Sequence, residues 1–156
     1  MKTVLRLLTS AMLIVVLAPR AMAQEEISPD KLPPKVADAV KTRFPGAKFV
    51  KITKEMENNE VIYDIEMTVG AKKHEMDCKE DGTLVDIQNE IEVSKLPAAV
   101  TRAIKAKHPS CTIKEAGEIL VVKDKKETLD HFEVLIDTPD KKDIELSVSL
   151  DGSKIE

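Results

Sequence analysis

The chain has 156 residues, a formal net charge of −4, 33% charged residues and only 3% aromatic residues. An acidic chain of this kind is a poor candidate for binding nucleic acid or anionic membranes, because both need clusters of basic residues. It contains no Gly-x-Ser-x-Gly, His-Glu-x-x-His or phosphate-binding loop motif, so we expect neither an enzyme nor a cofactor.

The first 23 residues have the pattern of a secretory signal peptide. Basic Lys2 and Arg6 precede an apolar stretch, and Ala21-Met22-Ala23 matches the small-x-small pattern of a cleavage site. The apolar stretch, residues 7–18, is shorter than the roughly 20 residues that a transmembrane helix needs. We therefore predict cleavage after Ala23 and a periplasmic or secreted protein without a stable membrane anchor.

An internal repeat organises the rest of the chain. Asp30-Lys31-Leu32-Pro33 aligns with Ser94-Lys95-Leu96-Pro97 at an offset of 64, and Asp81-Gly82 aligns with Asp151-Gly152 at an offset of 70. The extra residues of the second copy are placed most simply in a hairpin around residues 123–128. We predict two repeats, residues 24–93 and residues 94–156.

Each repeat begins with a predicted amphipathic helix. The apolar residues recur with the helical period of 3.6, and Pro33 and Pro97 are expected in the first turn, where the missing N–H of proline costs nothing. Pro45 and Pro109 end the helices, because the residue before a proline is pushed out of helical geometry. The apolar helix positions are Leu32, Val36, Ala39, Val40 and Phe44, then Leu96, Val100, Ala103 and Ile104.

After each helix the apolar period changes to two, which predicts half-buried antiparallel strands. Tyr63, Ile65 and Met67 alternate with polar residues in the first copy, and Phe132 and Val134 do so in the second. The Asp-Gly pairs are predicted to be hairpin turns. The expected fold class is α+β, with two tandem repeats in which an N-terminal helix packs on a meander of about four antiparallel strands.

These motifs resemble a known family. Leu-Pro-x-x-Val at a helix start, Phe-Pro-Gly-Ala-Lys at its end and the Asp-Gly turns are similar to those of tandem PepSY-like exported bacterial proteins, which share a fold with the beta-lactamase-inhibitor protein. The resemblance implies a non-enzymatic module that binds or inhibits an exported peptidase or hydrolase. The chain departs from the inhibitors in its aromatic anchors, because it has no Trp and because Tyr63 and Phe132 are expected to point into the core. Phe44 and Phe49 are expected to lie on or beside the helix packing face, which leaves no aromatic side chain clearly available outside.

Acidic residues occupy the polar positions of the predicted strands. Such a surface suits a basic partner protein, and carboxylate oxygens are also ligands that a hard cation accepts. The simpler interpretation is a solvated sheet face whose charges prevent aggregation. We expect one acidic sheet surface formed by Asp64, Glu66, Glu75, Asp77, Glu133, Asp137, Asp143 and Glu145.

Cys78 and Cys111 are the only cysteines. An exported protein permits a disulfide between them if their Cα atoms come within about 7 Å. The simpler expectation is one buried thiol at Cys78 and one partly exposed thiol at Cys111. A soft-metal site at His74, Met76 and Cys78 is disfavoured, because alternate residues spread about 13 Å along a strand, too far apart to hold one ion.

The sequence therefore predicts an exported binding module whose partner is another exported protein. The alternative is a cation-responsive envelope protein that uses the same acidic sheet face.

Overall fold

The computed structural model describes residues 24–156, and the predicted signal peptide of residues 1–23 lies outside the described residues. Eight strands in this range form one sheet, in which each strand pairs with the next one along the chain. All of these pairings are antiparallel. The strands are β1 (Glu25–Glu26), β2 (Lys48–Glu57), β3 (Glu60–Val69), β4 (Lys72–Lys79), β5 (Leu84–Ile91), β6 (Thr112–Lys123), β7 (Lys126–Asp137) and β8 (Ile144–Ser149).

Two helices of equal length begin the two repeats. Helix α1 spans Pro34–Arg43 and helix α2 spans Ala98–Lys107, and each follows a short 3₁₀ turn. The sequence predicted Pro33 and Pro97 inside the first turn of each helix. In the structure they lie immediately before the helices. The helices end as expected before a proline. The backbone N–H of the residue that follows each helix, Phe44 or His108, donates to the carbonyl four residues earlier at 2.7 and 2.8 Å.

Both helices pack on the same face of the sheet, which confirms the predicted α+β fold. Val36 and Val40 of α1 are buried against Ile65 of β3, and Val100 and Ile104 of α2 are buried in an equivalent second core. The period of two in the strands places most apolar side chains under the helices and most polar ones on the opposite face. That opposite face carries no helix within residues 24–156.

The two repeats join through the β5–β6 pairing, so the sheet is continuous. Leu120 and Val122 of β6 pack against the core of the first repeat although they belong to the second. Arg43 at the end of α1 also reaches the second repeat and binds Glu127 through two hydrogen bonds of 2.8 and 3.0 Å. The two repeats are therefore joined by core packing and by an ion pair as well as by the continuous sheet.

The second repeat differs from the first in three places. Tyr63 and Phe132 occupy matching core positions at an offset of 69 and not 64. Five of the six extra residues therefore lie in the β6–β7 hairpin. This hairpin also has a second bulge, at Ile119/Leu120. The sixth lies in the loop before β8. The place of β5 is taken in the second repeat by a single bridge between Val148 and Ile155.

The Asp-Gly turns hold the sheet against the helices. Gly82 has a φ of +86°, and a Cβ atom there would lie 2.8 Å from the backbone oxygen of Lys35 in α1. Gly152 has a φ of +74°, and its Cβ would lie 2.9 Å from the backbone oxygen of Ala99 in α2. Only glycine permits both the positive φ and the close approach. The motif is therefore part of the helix–sheet packing in both repeats.

No helix within residues 24–156 has the length and the apolar character that crossing a membrane requires.

Candidate functional site

The helix-free side of the sheet carries the candidate site, which we call the acidic face. Its polar side chains come from alternate positions of β2 to β8, because every second residue of a strand points to the same side. The β3–β4 and β4–β5 pairings bring the charges of three strands into register. Its carboxylates are Glu55, Asp64, Glu66, Glu75, Asp77, Asp86, Glu90, Glu133 and Glu145.

A row of three aspartates crosses the centre of this face. Asp64 on β3 lies directly opposite Asp77 on β4, and Asp77 lies directly opposite Asp86 on β5. Directly opposed like charges on neighbouring strands repel, and their Cβ atoms are only about 5 Å apart. Within residues 24–156 none of the three makes an ion pair with a Lys, Arg or His. The row is therefore a concentration of negative charge without a counter-ion.

Burial raises the free-energy cost of ionising the carboxylates in this row. Burial, followed by the charges of Asp86 and Asp64, raises the pKa of Asp77 to about 8. Burial also raises the pKa of Glu75 to about 7, with further contributions from Asp64 and Glu66. The pKa values of Asp64, Asp86 and Glu133 are raised for the same leading reason. A charged carboxylate is disfavoured when it loses hydration and gains no opposite charge.

Two adjoining cavities open on the acidic face. The first, which we call the glutamate groove, has a volume of about 370 Å³. Its lining includes five glutamates of the acidic face, Glu66, Glu75, Glu90, Glu133 and Glu145, together with apolar Val50 and Leu135. The second, the aspartate groove, has a volume of about 270 Å³ and contains the three-aspartate row with Glu55 and His131. Glu75, Gln88 and Glu133 line both grooves, so the two form one continuous depression.

Few cations lie on this face. Lys51 is 3.5 Å from Glu66, and His131 lies 3.9 Å from Glu133 and 3.0 Å from Asp130. Lys73 is paired with Glu115 at 3.0 Å at the border of the glutamate groove. Lys73 lines the glutamate groove and His131 lines the aspartate groove. Within residues 24–156, neither these two nor Lys51 forms an ion pair with the three aspartates of the central row.

Six of the eight acidic residues named from the sequence line the grooves: Asp64, Glu66, Glu75, Asp77, Glu133 and Glu145. The other two flank the loop between β7 and β8: Asp137 is the last residue of β7, and Asp143 precedes β8. Asp137 accepts hydrogen bonds from the backbone N–H of Asp143 and from Lys142, both at 3.1 Å, and these bonds lower its pKa. Asp137 and Asp143 therefore have a structural role in that loop.

The sequence analysis missed the acidic contribution of β5. Asp86, Gln88 and Glu90 alternate around Ile87, which is fully buried in the first core. That alternation was a usable signal, but the direct opposition of Asp86 and Asp77 depends on a bulge after Asp77. A bulge shifts the pairing by one residue and is not visible in the apolar pattern.

The structure confirms the expectation of a buried thiol at Cys78 but differs from the other two expectations for the cysteines. Cys78 and Cys111 are free thiols and both are buried. Cys78 lies in the core of the first repeat and Cys111 in the core of the second, so the disulfide considered from the sequence is not formed. Burial raises the pKa of the Cys78 thiol to about 11. The expectation that Cys111 is partly exposed was wrong, because it is only 9% exposed.

The burial of the aromatic side chains agrees only in part with the prediction from the sequence. Tyr63 and Phe132 are buried as predicted, whereas Phe49 is 37% exposed and lies beside the more exposed Val50. His74 lies on the helix side, where its Nδ1 is 2.8 Å from Asn89 Oδ1 and its ring packs on Phe44 at 4.8 Å. The acidic face therefore has an apolar border that the sequence analysis did not identify.

Two helices on one side of a continuous antiparallel sheet, with the other side free, define a tandem α+β repeat protein. A family model described as "Putative beta-lactamase-inhibitor-like, PepSY-like" matches residues 21–86 and 61–155. The chain belongs to this PepSY-like family, as its motifs indicated. The family's description names an inhibitor-like fold and no reaction.

Solved structures have the same fold at low sequence identity. A BLIP-like protein from Bacteroides fragilis is 18% identical, with a TM-score of 0.51 over 78% of this chain and 81% of its own. A "putative periplasmic" protein from Bacteroides eggerthii is 15% identical, with a TM-score of 0.59 over 80% and 87%. A DUF2874 family protein from Bacteroides uniformis is 12% identical, with a TM-score of 0.58 over 80% and 88%. No curated protein matches the chain.

Proposed function

We propose that this protein is an exported, non-enzymatic binding module that uses its acidic face to bind a positively charged surface of another exported protein. The observation that carries the proposal is the unneutralised row of Asp64, Asp77 and Asp86. Burial first, and mutual repulsion second, raise these pKa values. A cationic partner stabilises the charged forms of the carboxylates, so binding is favoured by their ionisation.

The family supports the binding role at a coarser level. PepSY-like, inhibitor-like proteins offer a precedent for protein binding without catalysis, and the first structural relative is itself described as BLIP-like. By extension, we propose that the partner is a peptidase or hydrolase of the envelope or the secreted fraction. The signal-peptide pattern of residues 1–23 supports a periplasmic or secreted location for both proteins.

The alternative of a cation-responsive protein has less support. Within residues 24–156 no three His, Cys, Asp or Glu side chains are placed to hold one metal ion. Calcium or zinc titration distinguishes the two ideas. A rise in melting temperature with either ion, lost in Asp77→Asn, would favour the alternative, since carboxylates ligate such ions directly.

The test of the proposal is a paired capture experiment. Residues 24–156 and the triple variant Asp64→Asn/Glu75→Gln/Asp77→Asn are used as baits against envelope and secreted fractions of the native organism. The control bait, Asp38→Asn/Glu80→Gln/Asp140→Asn, removes the same number of charges outside the two grooves. Proteins identified by mass spectrometry are then purified and titrated individually.

We expect at least one exported protein to bind the unmodified bait and the control bait but not the triple variant. That protein should bind more weakly at physiological salt than at low salt, because exposed charge pairs are screened. Equal binding of a purified partner to all three baits would refute the role of the acidic face. If that partner is a peptidase or hydrolase, an activity assay with and without the bait tests inhibition.

A further inference from the structure

An exposed apolar pair lies at the border of the glutamate groove. Val50 is 64% exposed and Phe49 is 37% exposed, both near the start of β2. Val50 lines the glutamate groove, and both residues line an adjoining notch of about 380 Å³ formed with residues 26–29. Lys51, the next residue, is the cross-strand partner of Glu66. Val50 is therefore adjacent in the sheet to a carboxylate of the groove. Phe49, the cross-strand partner of Met67, continues the apolar surface into the notch.

The second repeat provides an internal comparison. At the offset of 64, Val50 corresponds to Lys114 and Phe49 corresponds to Ile113. Lys114 is a surface cation 3.6 Å from Asp137, and Ile113 packs against the second core. Both strands have a bulge at this position. The same backbone is thus formed with a charged residue in place of Val50, so the fold does not require an exposed valine there.

We propose that Val50 and Phe49 are an apolar anchor site for the partner, which extends the proposed function and rests on it. The occupant is an extended basic segment of an exported protein. A Lys or Arg side chain of this segment enters the glutamate groove, and a neighbouring large apolar side chain packs on Val50 and Phe49.

The chemistry of the groove fits this occupant. Glu75 and Glu133 supply unpaired or weakly paired carboxylates for an ammonium or guanidinium group. Leu135 and Val50 supply apolar surface for the aliphatic stem of a Lys or Arg side chain, which packs along apolar residues while its charged end meets the acids. A purely polar basic segment would leave the exposed pair uncovered. The acidic groove and the apolar pair together therefore favour a basic segment that also carries an apolar side chain over one that carries only positive charge.

The proposal is tested with two synthetic, fluorescein-labelled nonapeptides, titrated by fluorescence anisotropy against residues 24–156. The first peptide contains alternating Arg and Ser residues with a central Leu-Phe pair, and the second has Ser-Ser at the centre. Val50→Thr removes apolar surface while keeping the shape and charge of the side chain. Met56→Thr is the matched control, because Met56 is 43% exposed on the same strand and lines neither groove.

We expect the Leu-Phe peptide to bind about tenfold more tightly than the Ser-Ser peptide, since covering part of two apolar side chains is worth about 1 to 2 kcal/mol. Val50→Thr should weaken the Leu-Phe peptide about three- to fivefold, and Met56→Thr should leave it unchanged. Equal affinities of the two peptides, or no effect of Val50→Thr, would overturn the anchor while leaving the acidic-face proposal intact. Failure of both peptides to bind at low salt would overturn both.

Discussion

Asp77 on β4 lies directly opposite Asp86 on β5, and no cation within the described part of the chain forms an ion pair with either carboxylate. Burial and the charges of Asp86 and Asp64 raise the pKa of Asp77 to about 8. A sheet optimised for stability alone would not oppose two aspartates in this way. The arrangement costs folding free energy in the unbound protein and favours a positively charged ligand.

Replacing this aspartate should therefore stabilise the unbound protein. We expect Asp77→Asn to raise the melting temperature at pH 8.5 by about 3 to 6 °C, corresponding to roughly 1 kcal/mol for a domain of this size. The gain should shrink toward pH 5, where Asp77 is already protonated. Differential scanning calorimetry across this pH range measures both effects.

Asp137→Asn is the opposite control. Asp137 accepts hydrogen bonds from the Asp143 N–H and from Lys142, so the same chemical change there should lower the melting temperature. A stabilising Asp137→Asn or a destabilising Asp77→Asn would contradict this account of the charges.

The pH dependence of the unmodified protein should have a maximum on the acidic side of neutrality. The folded-state pKa values of Asp77 and Glu75 lie above their unfolded values, at about 8 and about 7. The folded state therefore binds more protons, and stability is lost as the pH rises through 7 and 8.

At low pH the sign reverses. Hydrogen bonds from Ser153 and Ser149 lower the pKa of Asp151 to about 2, so the stability from this group is lost as the pH falls from about 4 toward 2. Chemical denaturation from pH 3 to pH 9 should thus give the highest stability between about pH 4 and pH 5, near the unfolded-state pKa values of these carboxyl groups. A continuous rise in stability up to pH 9 would show that ionising the carboxylates of the acidic face does not destabilise the folded protein.

The Asp-Gly turns give a prediction on packing. Gly82→Ala should destabilise the protein by about 2 kcal/mol or more, because the new Cβ would clash with the backbone oxygen of Lys35 and the φ is positive. Gly70→Ala is the matched control, since its φ is +64° but no atom lies within 4 Å of the new Cβ. It should cost only about 1 kcal/mol. Urea denaturation of both variants measures the difference, and equal costs would rule out the close contact as the cause.

The two buried thiols give a prediction on reactivity. Because Cys78 is inaccessible and its pKa is about 11, it should not react with a maleimide or an aromatic disulfide in the native protein. Cys111 should react slowly, and both should react at once in denaturant. Mass spectrometry counts the modified thiols. An intact mass that shows no free thiol after unfolding would instead reveal a disulfide.

Much of the fold could be predicted from the sequence because apolar periodicity and the repeated Pro and Gly positions act locally. The switch from a period of 3.6 around Val36 to a period of two around Ile65 is sufficient for the α+β arrangement. The acidic face could be predicted in part from the same alternation. Its central row could not, because the opposition of Asp77 and Asp86 depends on a bulge.

The exposure of the Phe49 and Cys111 side chains could not be predicted from the local apolar pattern either. Both lie just after a helix, at the start of a strand, where the apolar period does not indicate how deeply the side chain is covered. Phe49 is more exposed than expected because the edge of β2 is bulged and β1 pairs only farther along the strand. Cys111 is more buried because the second helix and sheet close over it.

The most direct test of the central claim is a calorimetric titration of the Leu-Phe basic peptide into the unmodified protein and into Asp64→Asn/Glu75→Gln/Asp77→Asn at low salt. The control is Asp38→Asn/Glu80→Gln/Asp140→Asn, which has the same formal net charge as the triple variant. We predict that the unmodified protein and the control bind with affinities within about threefold of each other, and that the triple variant binds at least tenfold more weakly, as expected for loss of close charge pairs. Equal weakening in the control and the triple variant would show that only net charge matters, and would contradict a specific binding site on the acidic face.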